Sequence, residues 1–235
     1  MSNVGFRIGP DIKRDHGDII EKLRKLPTSA IADVMWRLNS IGGSIRAVYP
    51  NGQVMAGPAF TVKVPPGDNL MMHKALELAQ PGDVLVVDAG GDVSHAITGE
   101  IMCRYAKKKG IAGFVIDGAV RDYAGIKRLN FPVYARGLQP RGPYKNGPGE
   151  INVTVSINGT IVHPGDIIVG DDDGLVVVPS RDAEEVCAKA MNKVAAEQAT
   201  FDQIEQGTMD TDWIDRLLNE KGCEFSVHAR DSYRR

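Results

Sequence analysis

The sequence predicts an α/β fold with a central parallel βαβ core, and three features carry that reading. Continuous apolar runs at Val84–Asp88 and Phe114–Asp117 read as strands buried on both faces. Helix-period segments lie between such runs, the alternation that parallel pairing with right-handed crossovers requires. Asn158-Gly159, after the alternating Val153, Val155 and Ile157, then marks an antiparallel hairpin on the C-terminal side.

Each element follows from local signals. Residues 1–17 are polar and irregular and read as an arm. A short helix over Asp18–Leu26 is closed by Pro27. Thr28 is expected to cap a second helix with Ile31, Val34, Met35 and Leu38 on one face, ended by Gly42-Gly43. Phe60, Val62 and Val64 alternate as a strand up to Pro65-Pro66-Gly67, and a helix follows from about Leu70 to Ala79. After the Val84–Asp88 strand, a helix from Glu100 to Lys109 stops at Gly110, with Lys107-Lys108-Lys109 at its negative end. Asp122–Leu129 reads as a short helix and Phe131–Ala135 as a third strand of the core. Arg141 to Gly149 is a Gly/Pro-rich loop. Past the hairpin, Pro164-Gly165 and Asp171-Asp172-Asp173-Gly174 separate short strands ending at Val178. Ser180 is expected to cap a long helix running towards Gly207, and the last 28 residues read as a polar extension that packs on a neighbouring subunit. With no internal repeat and no clean linker, residues 1–235 are expected to form a single domain.

Composition narrows the function. An apolar share of 43%, a charged share of 25% and a net charge of −2 are those of an ordinary globular protein, with no electrostatic footprint for nucleic acid or a membrane surface. Three dispersed cysteines form no CxxC pair, the N-terminus lacks the apolar core of a signal peptide, and no apolar run is long enough to span a bilayer. A cytoplasmic protein is expected.

Familiar catalytic motifs are absent: there is no GxGxxG after a strand, no GxxxxGK[ST], no GxSxG and no HExxH. What remains is carboxylates at strand ends. Asp88 and Asp117 each end a buried strand and are followed, at once or one residue on, by glycine, where an open parallel sheet presents its ligand crevice. Arg121-Asp122 lies four residues beyond Asp117. Carboxylates without histidine or thiolate favour Mg²⁺ or Mn²⁺, and an adjacent arginine offers a planar fork for a carboxylate. The alternative is an aspartate capping the 122–129 helix beside a surface arginine. Lys63 as a Schiff base and the 171–173 aspartates as a metal site are weaker than a solvated strand lysine and a tight turn. Cys103 reads as core.

Gly99-Glu-Ile-Met102, the run Lys109-Gly-Ile-Ala-Gly-Phe-Val-Ile-Asp-Gly-Ala-Val-Arg121-Asp122 and Phe131-Pro-Val-Tyr-Ala-Arg-Gly137 closely resemble the RraA-like family. Pro66-Gly-Asp-Asn69, Gly82 to Asp88, Gly147-Pro-Gly-Glu150 and Pro164 to Asp171 match as well, so the likeness spans roughly residues 28–180. The family includes class II aldolases acting on 4-hydroxy-4-methyl-2-oxoglutarate and 4-carboxy-4-hydroxy-2-oxoadipate, and also a non-catalytic regulator of ribonuclease activity.

The resemblance implies a swivelling β/β/α domain with a C-terminal hairpin and long helix, assembled as a homotrimer or hexamer with sites at subunit interfaces. It implies that Asp122 binds a divalent cation, that Arg121 contacts a small 2-oxo acid, and that the amides of Gly99, Glu100, Ile101 and Met102 hold the substrate. Independently, this stretch opens a helix whose free N–H groups favour an anion. Asp88 is a candidate for holding a metal-bound water. The implied reaction releases pyruvate from a 4-hydroxy-2-oxo acid, with oxaloacetate decarboxylation as a side activity. One position departs from the pattern: family aldolases usually carry an acid three residues after the metal-binding aspartate, and here that residue is Gly125.

Overall fold

The computed structural model describes residues 3–50 and 52–224. Of these, the residues up to 193 belong to one compact unit and residues 194–224 to a second.

In chain order the first unit begins with β1 (Phe6–Ile8), α1 (Gly17–Leu23), α2 (Thr28–Val34), β2 (Ser40–Ile41), β3 (Arg46–Ala47) and β4 (Met55–Lys63). Then come α3 (Leu70–Leu78), β5 (Val84–Asp88), β6 (Ala96–Thr98), α4 (Glu100–Lys109), β7 (Gly113–Val120), α5 (Tyr123–Leu129) and β8 (Val133–Leu138). The chain continues through β9 (Gly149–Ile151), β10 (Val155–Ile157), β11 (Thr160–Val162), β12 (Ile167–Gly170) and β13 (Leu175–Val178). A 3₁₀ turn, Ser180–Asp182, leads into α6 (Ala183–Glu205), and α7 (Asp212–Glu220) lies in the second unit.

The main sheet runs β2-β13-β12-β4-β5-β7-β8-β3, with β6 beside β7 and β1-β9 joined to β4. Its centre, β4-β5-β7-β8, is parallel, as the alternating strands and helices predict. Here side chains are buried on both faces: Phe60, Leu85 and Phe114 belong to one apolar cluster, and Ala59, Val84 and Val115 to the other. Burial on both faces explains the unbroken apolar runs. β10 and β11 pair antiparallel around Asn158 and Gly159, both with positive φ, the backbone that a two-residue hairpin turn needs. Gly110 ends α4 in the left-handed region at φ 83°, while three lysines occupy the last turn.

Four expectations are corrected. The arm is partly ordered: Phe6–Ile8 pairs parallel with β9, and Arg14 reaches the fully buried carboxylate of Asp83 with Nε at 2.8 Å and Nη2 at 2.9 Å. The second helix stops at Val34, because Trp36 and Arg37 take left-handed conformations, and Leu38 is exposed rather than on the buried face. Thr28 lies inside that helix after Pro27, and its hydroxyl donates to Asp171 Oδ1 at 2.7 Å. Ser180 starts the 3₁₀ turn, so the long helix begins at Ala183.

Candidate functional site

Three elements meet at the C-terminal end of β7. β6 runs parallel to it, with Arg121 N donating to Thr98 O at 3.0 Å, and so brings the start of α4 beside the start of α5. At the hinge between strand and helix, Asp122 takes a left-handed conformation, φ 64° and ψ 39°, uncommon for a residue with a side chain. Its carboxylate makes no cap on α5. It turns to α4, where Oδ2 accepts from Glu100 N at 3.1 Å, and Oδ1 has no partner among the described residues. The position of Gly99 explains its identity: a Cβ there would overlap Asp122 Oδ2 and stand 3.0 Å from Arg121 Cγ.

Arg121 packs along the loop that follows β8. A Cβ on Gly142 would lie 2.7 Å from its Nη1, so the guanidinium rests against bare backbone of the 141–147 loop. The two side chains are 41% and 44% exposed, and Arg121 Nε stands 3.8 Å from Asp122 Oδ2, too far for a hydrogen bond. Neither group is therefore consumed by the other.

A cavity of about 240 Å³ opens here, lined by Gly99, Ile101, Met102, Arg121 and Asp122 among others. That volume suits a small acid and is below the ~300–1,000 Å³ of sites for drug-sized ligands. Ile101 and Met102 belong to the first turn of α4, where no carbonyl four residues back serves their amides. Glu100 contributes its amide to Asp122, while its carboxylate turns towards α5 and accepts from Arg104 Nε at 2.8 Å. It lies over Gly125, where a Cβ would be 2.9 Å from Glu100 Cγ and closer still to its carboxylate. The missing acid at position 125 and the Glu100 side chain thus compete for one volume.

Sequence reasoning did not single out Asn69, His73, Thr98 and Lys145, which line the same cavity. Asn69, at the start of α3, donates from Nδ2 to Ile97 O at 2.8 Å. Its Oδ1 is buried without a partner, as is Thr98 Oγ1. Burial lowers the pKa of His73 and the nearby Lys145 ammonium lowers it further. Pro66-Gly-Asp-Asn69 before a helix was the available signal. The other candidates lie elsewhere. Asp88 does not line the cavity and accepts from Gly90 N at 3.0 Å. Asp117 pairs with Arg136 and accepts from Asn158 N at 2.7 Å. Lys63 is exposed at the end of β4, and Asp171 binds Thr28. Cys103 is fully buried in the core, and that burial, with Asp122 and Glu100 adding to it, pushes its thiol up to about 12.

Residues 28–177 match the RraA-like family, described as Aldolase/RraA. The chain belongs to the RraA-like family. It is 44% identical over 192 residues, 82% of this chain and 91% of the relative, to a Halalkalibacterium halodurans protein named "Putative 4-hydroxy-4-methyl-2-oxoglutarate aldolase". Among solved structures, an uncharacterized protein from Pseudomonas syringae superposes with a TM-score of 0.76 at 27% identity, covering 85% of this chain and 93% of that one. Streptomyces coelicolor RraAS2, described as an unusual member of the RNase ES inhibitor RraA family, gives 0.71 at 31% identity, covering 79% and 96%. The mixed α/β architecture with its parallel core and long C-terminal helix is that of these RraA-like structures.

Among the described residues no three His, Cys, Asp or Glu side chains converge as a metal cage. The donor set is instead one solvent-reachable carboxylate with a free oxygen, Asp122 Oδ1, beside open space. That fits Mg²⁺, which keeps most of its waters and binds through one or two carboxylates plus its substrate. It does not fit zinc.

Proposed function

We propose that this RraA-like chain is a divalent-metal-dependent lyase, a class II pyruvate aldolase that cleaves a 4-hydroxy-2-oxo acid to pyruvate and a second 2-oxo acid. The observation that carries the reading is the convergence, on one small cavity, of an arginine fork only loosely paired with Asp122, a carboxylate with a free oxygen and unserved helix amides.

Asp122 would hold the cation, Mg²⁺ or Mn²⁺, which when bound supplies Lewis-acid polarisation of the 2-oxo group. The amides of Ile101 and Met102, at the positive end of α4, receive the C1 carboxylate. As the C4 hydroxyl gives its proton to a water in the cavity, C4–O becomes a carbonyl and the C3–C4 bonding pair moves to C2–C3. The negative charge then grows on the former keto oxygen, where Arg121 stabilises it. Protonation at C3 gives pyruvate. Oxaloacetate forms the same enolate on losing CO₂, so decarboxylation is the expected side activity. Glu100, lying over Gly125, supplies the carboxylate that family aldolases carry at the latter position. A regulatory protein of the same fold remains the alternative to which Gly125 points, and the Glu100 carboxylate over that position supports the enzymatic reading instead. Assembly as a trimer or hexamer is part of the proposal, since Ile101 lines the cavity yet is 80% exposed, leaving a wall for a neighbouring copy.

The test is Arg121→Lys. Lysine keeps the charge but replaces a planar fork with a point charge. Pyruvate release should fall by roughly 10²–10³ in kcat, the cost of one preorganised donor, with an unchanged melting temperature. Near-normal kcat/KM would remove Arg121 from the chemistry.

A further inference from the structure

A second cavity, of about 700 Å³, lies between the N-terminal arm, the turn after β11 and the start of α6, and shares no lining residue with the cavity beside Arg121. Of its lining only Asn152, Pro164 and Gly165 fall within residues 28–177, so the family core supplies one wall and the flanks of this chain supply the rest. The arm is fixed where it forms that wall: Arg14 reaches the buried Asp83, and Asn152 Nδ2 donates to Pro10 O at 3.0 Å. The volume falls within the ~300–1,000 Å³ of small-molecule sites.

Asn152 is 7% exposed, holds a left-handed backbone at φ 52°, and has its Oδ1 buried with no hydrogen-bond partner. Its side chain bridges to Pro10, which lines the cavity too, so the head group sits in the cavity wall. Because Nδ2 is taken by Pro10 O, the unserved atom is an acceptor, and what it lacks is a donor. The charged groups of the wall divide as clearly. Asp11 is paired with Arg14 at 3.0 Å, Arg181 with Asp182 at 3.3 Å, and Asp15 lies 3.5 Å from His16 Nε2. Among the described residues Lys13 and Glu184 have no ion-pair partner. That leaves one ammonium, one carboxylate and one donor-seeking oxygen, with Pro10, Ile12 and Pro164 as apolar wall.

We infer that this cavity is a binding site for a free α-amino acid with a large apolar side chain, separate from the aldolase chemistry. The α-ammonium goes to Asn152 Oδ1 and the Glu184 carboxylate, the α-carboxylate to Lys13, and the side chain against Pro10, Ile12 and Pro164. An ammonium carries three donors and so serves both acceptors at once. A phosphate dianion fits less well: three carboxylates line the cavity against the two permanent cations of Lys13 and Arg181, and it brings no donor for Asn152.

The test is calorimetry on the full chain with L-phenylalanine, with 3-phenylpropionate, which lacks the ammonium, and with 2-phenylethylamine, which lacks the carboxylate. L-phenylalanine should bind roughly ten-fold more tightly than either analogue, the scale of one charge-assisted hydrogen bond. Glu184→Gln, at an exposed position, should weaken L-phenylalanine and 2-phenylethylamine several-fold and leave 3-phenylpropionate unchanged. Lys13→Gln, also exposed, should weaken L-phenylalanine and 3-phenylpropionate and leave 2-phenylethylamine unchanged. Asn152→Gly, which suits the left-handed backbone, should act as Glu184→Gln does. Arg121→Lys should leave all three affinities as they are. No binding of L-phenylalanine by the wild type, or equal affinity for the three compounds, overturns the site. An affinity that falls in Arg121→Lys and holds in Lys13→Gln and Glu184→Gln puts the amino acid in the other cavity and overturns it too. Equal loss of all three compounds in Asn152→Gly overturns the role given to Oδ1 and makes Asn152 a tether of the arm alone.

Discussion

Gly125→Ala separates a catalytic from a structural role for the Glu100 carboxylate. Gly125 is buried within α5 and its φ is not positive, so the backbone accepts alanine, and the helix gains about 1 kcal/mol from the exchange. The new Cβ would stand 2.9 Å from Glu100 Cγ and closer to the carboxylate, whereas carbon contacts are comfortable at about 3.5 Å or more. The Glu100 side chain must swing away by more than about 1 Å, which is possible for the end of a flexible chain. Doing so strains its pair with Arg104, itself 60% exposed and therefore worth at most about 1 kcal/mol. The two terms offset each other, and the melting temperature should move by only a few degrees. Misplacing a group at the reacting centre by about 1 Å costs roughly 10²-fold, so kcat/KM for pyruvate release should fall about 10- to 100-fold. The assay is steady-state pyruvate release beside a thermal melt. A Gly125→Ala protein with wild-type kcat/KM would refute the assignment of Glu100 to the site.

Two further outcomes test the fold. Arg14→Ala strips the bidentate partner from the fully buried Asp83, leaving Gln80 N as its donor among the described residues, and should cost about 3–5 kcal/mol in urea denaturation; a loss under about 1 kcal/mol would mean that the arm does not anchor there. A thiolate reagent at pH 8 should label the exposed Cys223 in the native protein and spare Cys103, whose buried thiol titrates only near 12, and rapid loss of a second thiol would contradict that burial.

The parallel core was legible because its strands are buried on both faces, which forces continuous apolar runs at β5 and β7 that no exposed strand would carry. The hairpin was legible because Asn158-Gly159 meets a backbone requirement rather than a preference. The end of α2 was not, since Trp36 and Arg37 adopt left-handed conformations with side chains that give no warning of it. The start of the chain misled because Phe6–Ile8 is short and exposed, its pairing with β9 fixed by backbone and by distant Glu150. In the site, Arg121, Asp122 and the first turn of α4 follow one another closely enough along the chain to be suspected together. Asn69, Thr98 and Lys145 come from three separate segments and meet only after folding. The relation of Glu100 to Gly125 was equally hidden, because 25 positions separate a side chain from the space it fills.

The most direct test of the central claim is pyruvate release from 4-hydroxy-2-oxoglutarate by the purified protein, measured with Mg²⁺, after EDTA, and after Mg²⁺ or Mn²⁺ is restored. Turnover should vanish on chelation and return with either cation, and Asp122→Asn, which removes the charge but not the shape, should need far more Mg²⁺ to reach any rate. Pyruvate released at full rate in EDTA, or none released with the cation present, would contradict the assignment of metal-dependent aldolase chemistry to Arg121 and Asp122.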